Sequence, residues 1–399
     1  MNKIRPLEGI IVADFSRVLA GPLCTMTLAD LGATVIKVER PGSGDDTRSW
    51  GPPFSATGST YFESVNRNKQ SVTLDLTDPA ALELARGLAL RADVLVENFK
   101  PGGMAKLGLG YEELTVDNPG LVYASISGFG SAGGAHLPGY DFIVQALGGL
   151  MSITGEAGQD PMKAGVALVD VLTAKDATIG VLAALNARAF SGAGAHVEVN
   201  LLSSLQGALA NQGQAYLGAG KVASRMGNEH PSIVPYQLLA CADGSVAVAC
   251  GNDGQFARLC AELGRPALAE DPRFATNTAR VANRAELIPQ LEDALGADTG
   301  ANWQARFTAV GVPAGKVAGI DEGLAYADSL GLEPVIEVRN AQGEAVGRQV
   351  RHPITWTPVL DAPTLAPPQL GEHSQAIRAW LGGKAESVPA FQALARPRP

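Results

Sequence analysis

The stretch from Ile10 to Val38, IIVADFSRVLAGPLCTMTLADLGATVIKV, decides the fold. Its two ends, Ile10-Ile11-Val12-Ala13 and Val35-Ile36-Lys37-Val38, are short apolar runs of strand length. Between them Pro22 to Leu31 reads as a helix. Pro22 lies near the first turn, where a missing N–H costs nothing, and Gly32 follows the last periodic residue. The pattern repeats downstream. Ser71 to Leu76 is β-rich, Asp78-Pro79 opens a helix that runs to about Arg91, and Val94-Leu95-Val96 and Leu121 to Ile126 are further strands. Strands separated by helices require crossover connections, hence a parallel sheet with helices on both faces and an α/β fold class. Ligands of such sheets bind beyond the carboxyl ends of the strands. Those ends here are Ser16-Arg17, Glu39-Arg40, Glu97-Asn98-Phe99 and Ser127-Gly128.

Further along, Asp170 to Phe190 is rich in Ala, Leu and Val and reads as a long helix ended by Gly192 and Gly194. Ala195 to Leu202 is β-rich and leads into a second apolar helix ending near Leu217. From about Arg225 the texture changes. Gly244 to Cys250 is a strand and the stretch to Val310 is helical with dense charge, which sets a smaller domain at 225–325 after a large domain at 1–224. The tail is rich in proline from Pro353 to Pro368 and ends in a short helix around Ile377–Trp380.

Composition excludes several function classes. The chain has 399 residues, 46% hydrophobic and 18% charged, against about 25% charged in an average soluble domain. That is enough apolar material for a sizeable core, and too much for a disordered chain. No run approaches the ~18 apolar residues of a membrane span, and Met1 to Pro6 lacks the apolar segment of a signal peptide. The four cysteines (Cys24, Cys241, Cys250, Cys260) show no C-x-x-C spacing. Zinc and a disulfide framework are therefore not expected, and a reducing, cytoplasmic setting is. The net charge of −9 speaks against nucleic acid. Residues 1–110 are neutral, with 12 Lys+Arg and 12 Asp+Glu, while the remainder carries 19 and 28. An anionic ligand is expected to meet the first quarter of the chain.

Gly128-Phe129-Gly130-Ser131-Ala132-Gly133 matches G-x-G-x-x-G after a strand, but Gly134, Pro138 and Gly139 follow and no helix opens. It reads as a glycine-rich loop rather than a dinucleotide site. Asp170 ends the apolar run Gly165-Val166-Ala167-Leu168-Val169 and opens a helix, where the dipole is expected to keep its carboxylate ionised in a poorly hydrated place. Two readings stay open for it: a helix N-cap, or a covalent nucleophile toward an activated acyl group. The five histidines do not cluster at metal-ligand spacings, so no metal site is expected, and His230 reads as a turn residue. The absence of G-x-S-x-G argues against a serine hydrolase.

The chain resembles the family III CoA-transferases, the group that includes formyl-CoA transferase and the carnitine CoA-transferases. The likeness is carried by Asp14 to Pro22, Leu31 to Ala33, Val35 to Asp45, Asn66-Arg67-Asn68-Lys69, Val96 to Gly102, Ser127 to Gly130 and Leu370-Gly371-Glu372-His373. The resemblance implies a Rossmann-like large domain built from both chain ends, with 326–399 returning to it, plus a smaller α+β domain, in an interlocked homodimer. It implies that Asp170 is the nucleophile and that Val18, Arg40, Asn98, Phe99 and Lys106 hold the nucleotide of coenzyme A. Coenzyme A would then be a co-substrate, with no tightly bound cofactor. The α-methylacyl-CoA racemases share this fold, but where they carry a Gly-His-Asp triplet this chain has Gly139-Tyr140-Asp141. Tyr140, whose reference pKa is about 10, is a poor proton shuttle. It is expected to contact substrate instead. Arg17 and Leu19 stand where formyl-CoA transferase has a histidine and a glutamine, and no run of consecutive glycines appears between residues 225 and 265, which speaks against formate or oxalate. Gly139-Tyr140-Asp141 with Gly148 to Gly155 is similar to members using succinyl-CoA and dicarboxylic or hydroxy acids. Arg17 is expected to pair with the free carboxylate of such an acid, and the backbone N–H groups of the Gly128–Gly134 loop to steady oxyanions.

Overall fold

The computed structural model describes residues 3–385, 387 and 388. Six strands, β1 (Ile11–Asp14), β2 (Thr34–Glu39), β3 (Lys69–Thr73), β4 (Val94–Glu97), β5 (Val122–Ser127) and β6 (Ala195–Asn200), form one sheet. Every pairing is parallel and the order is β3-β2-β1-β4-β5-β6. That is a doubly wound sheet whose strand order reverses between β1 and β4, the crevice where such sheets bind ligands.

Side-chain alternation along each strand feeds two cores. Val12, Val35, Val94, Val96, Val122 and Ala124 join residues of helices α1 (Ala20–Asp30) and α4 (Leu168–Ser191) on one face. Ala13, Ile36, Val72, Leu95 and Tyr123 join α2 (Pro79–Arg91) and the C-terminal helix α6 (Ser374–Leu381) on the other. Two shorter helices, α3 (Asp141–Leu147) and α5 (Leu201–Ala208), complete the first face. The described residues up to Leu150, Ala164–Gln214 and the described residues from Leu332 onward form this compact unit.

A second unit comprises Met151–Lys163 and Ala215–Gly331. Its antiparallel sheet, in the order β9 (Ala314–Lys316), β8 (Gly244–Ala249), β7 (Tyr236–Cys241), packs on helices Asp253–Glu262, Arg284–Leu295 and Gly300–Ala309. Arg280 is fully buried there, bonded to Val234 O (2.7 Å), Phe274 O (2.9 Å) and Asp253 (2.8 Å).

Several boundaries differ from expectation. The strand expected from Ser71 begins at Lys69, because the polar Lys69 and Gln70 are buried. Lys69 Nζ reaches Asp14 Oδ2 (3.0 Å), Pro22 O (2.8 Å) and Asn66 Oδ1 (2.9 Å), so a charged side chain sits where sequence patterning asks for an apolar one. The apolar helix expected after β6 is two helices, α5 and Ala210–Ala219, broken next to Ala210 at φ 42°. Strand β7 was not anticipated at all.

Candidate active site at the carboxyl edge of the sheet

Beyond the ends of β1, β2 and β3 lies a cavity of about 360 Å³. Its walls include Phe15, Arg17, Arg40, Leu74, Phe99 and Leu107, with Asp75 and Thr77 at the end of the β3 segment. Arg40 and Phe99, expected at a nucleotide, thus line one space, and Arg17 joins them. Both arginines are held by Asp46, Arg17 Nη1 at 3.0 Å and Arg40 Nη2 at 2.6 Å, on opposite oxygens of its carboxylate. Asn98 serves the backbone: its Oδ1 accepts from Arg17 N (2.9 Å) and its Nδ2 donates to Arg17 O (2.7 Å). Lys106 is exposed on the turn Ala105–Leu107, next to the lining residue Leu107.

Val18 follows Arg17 with φ at 71°, a left-handed backbone that a β-branched residue adopts only under constraint. The constraint is visible. Val18 N donates to both oxygens of Asp45 (3.3 Å each), and buried Lys37 bridges Asp45 Oδ2 (2.9 Å) to Ser16 O (2.9 Å). Burial alone would raise the Asp45 carboxyl, yet Lys37 and the Thr47 donors draw it below the ordinary range. Lys37 is pushed down by burial and up by Asp45, Asp14 and Glu39, and its net shift is upward. The pair is therefore charged in place and fixes the turn from below.

Asp170 sits apart from this ionic floor, in the first turn of α4. The helix opens at Leu168, not at Asp170, and its N-cap position is Ala167, which contributes no side-chain bond. The capping reading of Asp170 is therefore corrected: Asp141 Oδ1 accepts from Val169 N (2.7 Å) and Asp170 N (3.2 Å). The chain reaches Asp141 through a tight loop. A Cβ on Gly128 would meet Gly139 Cα at 2.4 Å, so two glycines let the backbones touch just before Tyr140 and Asp141. Tyr140 is 62% exposed beside them.

Among the described residues, no donor bonds the half-buried Asp170 carboxyl. Burial, and after it the Asp141 carboxylate, push Asp170 up to about 7. The dipole of α4 was expected to keep it ionised in a poorly hydrated place, and burial and the Asp141 charge act in the opposite direction. Tyr61, on the short helix Thr60–Glu63, is the neighbour that sequence reading missed. Its half-buried phenol is pushed up to about 12, by burial first and then by Asp170, Asp141 and Asp45. No spacing in Ser59-Thr60-Tyr61 signals that proximity. Asp141 was nearer to legibility, one residue after Tyr140.

A family model described as CoA-transferase family III matches residues 7–374. The chain belongs to CoA-transferase family III. It is 45% identical over 397 residues to a succinate–glutarate CoA-transferase of Agrobacterium fabrum, covering 95% of this chain and 96% of that protein. It is 41% identical to succinyl-CoA:glutarate CoA-transferase of Mus musculus, covering 94% of this chain and 86% of that one. Among solved structures, a CAIB/BAIF family protein from Brucella suis superposes with a TM-score of 0.85 at 44% identity, over 96% of this chain and all of that one. This family III enzyme is thus a CoA-transferase acting between acyl-CoA and a carboxylic acid. Among the described residues, no helix is long and apolar enough to cross a membrane.

Proposed function

We propose that this transferase moves CoA from succinyl-CoA to a short dicarboxylic acid of the glutarate type, through covalent intermediates on Asp170. One observation carries the assignment of Asp170: a carboxyl shielded from water, bonded to no donor, at the head of a long helix. A carboxylate without hydrogen bonds keeps its basicity and is free to attack. The acids named in the relatives' activities support the substrate class.

In the first step an Asp170 oxygen bonds to the thioester carbonyl carbon. The C–S bond breaks and its electron pair leaves on the CoA sulfur, giving thiolate and a mixed anhydride. The thiolate then attacks the Asp170 carbonyl and expels succinate, leaving an aspartyl-CoA thioester. The acceptor carboxylate attacks that thioester, and the same two steps run in reverse. No proton is gained or lost, so the site needs no general base, and exclusion of water protects the anhydride.

Arg40, Phe99 and Val18 with Asn98 and Lys106 form the nucleotide end in this reading, guanidinium and ammonium toward phosphate and the aromatic ring toward adenine. Arg17 and Tyr140 are the substrate contacts, Arg17 exchanging Asp46 for a substrate carboxylate. The enzyme is proposed to be a cytoplasmic, interlocked homodimer. Large apolar side chains left in solvent, such as Phe190 (86%) and Ile179 (64%) on α4, support a covering copy.

Mixing the enzyme with succinyl-CoA and hydroxylamine, followed by peptide mass spectrometry, tests the covalent step. A hydroxamate on Asp170 is expected, with at least about four orders of magnitude lost in the Asp170→Asn variant. Undiminished turnover in that variant would sink the assignment.

A further inference from the structure

Helix α4 is 24 residues long, and its first four N–H groups have no partner within a regular helical ladder. The ladder's first rung runs from Val171 N to Ala167 O (3.1 Å), and of the N–H groups before it Leu168 N donates to Val166 O (2.8 Å). Two more of them, from Val169 and Asp170, converge on Asp141 Oδ1. The other oxygen, Asp141 Oδ2, accepts from Gln145 Nε2 (2.6 Å). Gln145 is fully buried and accepts in turn from Ala164 N (2.8 Å). Asp141 is thus fixed through both oxygens, on one side to the helix that carries Asp170 and on the other to the segment leading into it.

We infer that Asp141 is a positioning residue for the transfer: by capping α4 from α3 it leaves the Asp170 carboxylate unbonded, and it sets a second negative charge beside it. The inference rests on Asp170 being the nucleophile. Its chemical content lies in the charge balance of acylation. When the Asp170 oxygen bonds to the acyl carbon and the C–S electron pair leaves with CoA, the charge on Asp170 disappears and reappears on sulfur. The repulsion between the two carboxylates exists before that step and is gone after it. Asp141 therefore raises the free enzyme relative to the acyl-enzyme, and only the reacting carboxylate registers the difference.

The groups facing Asp170 are few. Asp141 comes from α3 and Tyr61 from the helix Thr60–Glu63, whose phenol stays neutral at working pH. Among the described residues, no ion pair reaches Asp170. Two carboxylates in one poorly hydrated place push one pKa upward, and the shift of Asp170 has that direction.

The experiment follows the burst of succinate released on mixing enzyme with succinyl-CoA, across pH 4 to 9, for wild type, Asp141→Asn, Asp141→Glu and Asp170→Asn, with CoA binding measured on each. The wild-type burst rate is expected to fall on the acid side with a midpoint near neutrality. Asp141→Asn keeps an acceptor oxygen for the two N–H groups and removes the charge, and its amide nitrogen gives up the bond from Gln145 Nε2. Its acid limb is expected about 1 to 2 pH units lower, with the burst at pH 8 slowed about tenfold and CoA affinity unchanged. Asp141→Glu, which keeps the charge, is expected to keep the limb. A purely structural cap predicts no movement of the limb in Asp141→Asn, and that result overturns the inference. A wild-type limb near pH 4 overturns it as well, whether or not the variant folds. A burst surviving in Asp170→Asn instead defeats the nucleophile assignment, an outcome distinct from both.

Discussion

Two groups of acids stand at the carboxyl edge of the same sheet under opposite electrostatic rules. Below the cavity, Asp14, Glu39 and Asp45 are buried, and each has a cation: Lys69 at 3.0 Å, Arg48 at 2.7 Å and Lys37 at 2.9 Å. At the head of α4, Asp170 is shielded as well and, among the described residues, has none. The paired acids are drawn down despite burial, Asp14 to about 2. The solitary one is driven up to about 7. Pairing turns buried charge into fixed geometry, whereas withholding a partner leaves a carboxyl that holds its proton more tightly. The contrast separates the acids that build the turn Ser16–Val18 from the one proposed to react.

The largest effect should come from breaking a pair in the floor. Lys69→Met leaves Asp14 buried with its hydroxyl donors Ser16 and Thr25 and the more distant Lys37. Stability is expected to fall by about 3 to 5 kcal/mol, read from urea melts at pH 7. The loss should shrink toward pH 2. Asp14 is held below its unfolded value, so its stabilisation is present above about pH 4 and lost as pH falls through its folded pKa. A loss independent of pH would mean that the pair acts through packing alone.

Second is binding. Arg40→Ala should weaken CoA about tenfold and flatten the salt dependence of its dissociation constant, as expected for one charge-assisted phosphate contact at a partly exposed site. Titration calorimetry at two salt concentrations measures both. Unchanged affinity would move the nucleotide away from the cavity of Arg17 and Phe99.

The same contrast explains what sequence reading could reach. The crossover pattern from Ile10 to Val38 was legible because each strand is apolar on both faces and each helix carries its punctuation, Pro22 and Gly32. Lys69 hid the start of β3 because a charge satisfied by Asp14, Asn66 and a carbonyl looks, in one dimension, like a solvent residue. Arg40 and Phe99 were legible as strand-end residues facing one crevice. The state of Asp170 was not. Its helix position suggests stabilisation of the anion, and the two opposing influences, burial and the Asp141 carboxylate 29 positions earlier, are set by folding.

Third, Asp170→Asn should stabilise the protein that it inactivates. A carboxyl whose folded pKa lies above its unfolded one keeps a proton that the unfolded chain has released, so stability declines as pH rises from about 4 to about 7. Removing it is expected to add about 1 to 2 kcal/mol at pH 8, solvent screening at a half-buried site limiting the gain, and nothing at pH 4. Melts of both proteins at the two pH values decide it. Equal stability at pH 8 would show that Asp170 is not strained by its surroundings, and the contrast with the paired acids would fail.

The smallest effect should appear at Val18, where the floor and the ligand turn meet. Its φ of 71° is disfavoured for valine and costless for glycine, so Val18→Gly relieves local strain. The same change loosens the unfolded chain, and the two contributions oppose each other. Net stability is expected to move by less than about 1 kcal/mol, far less than for a valine in an unstrained core. CoA affinity should nevertheless drop several-fold, because the bonds from Asp45 to Val18 N then hold a segment with more conformations open to it. If stability instead falls by about 2 kcal/mol or more with affinity intact, Val18 is a packing residue and the Lys37–Asp45 pair supports the fold rather than the ligand turn.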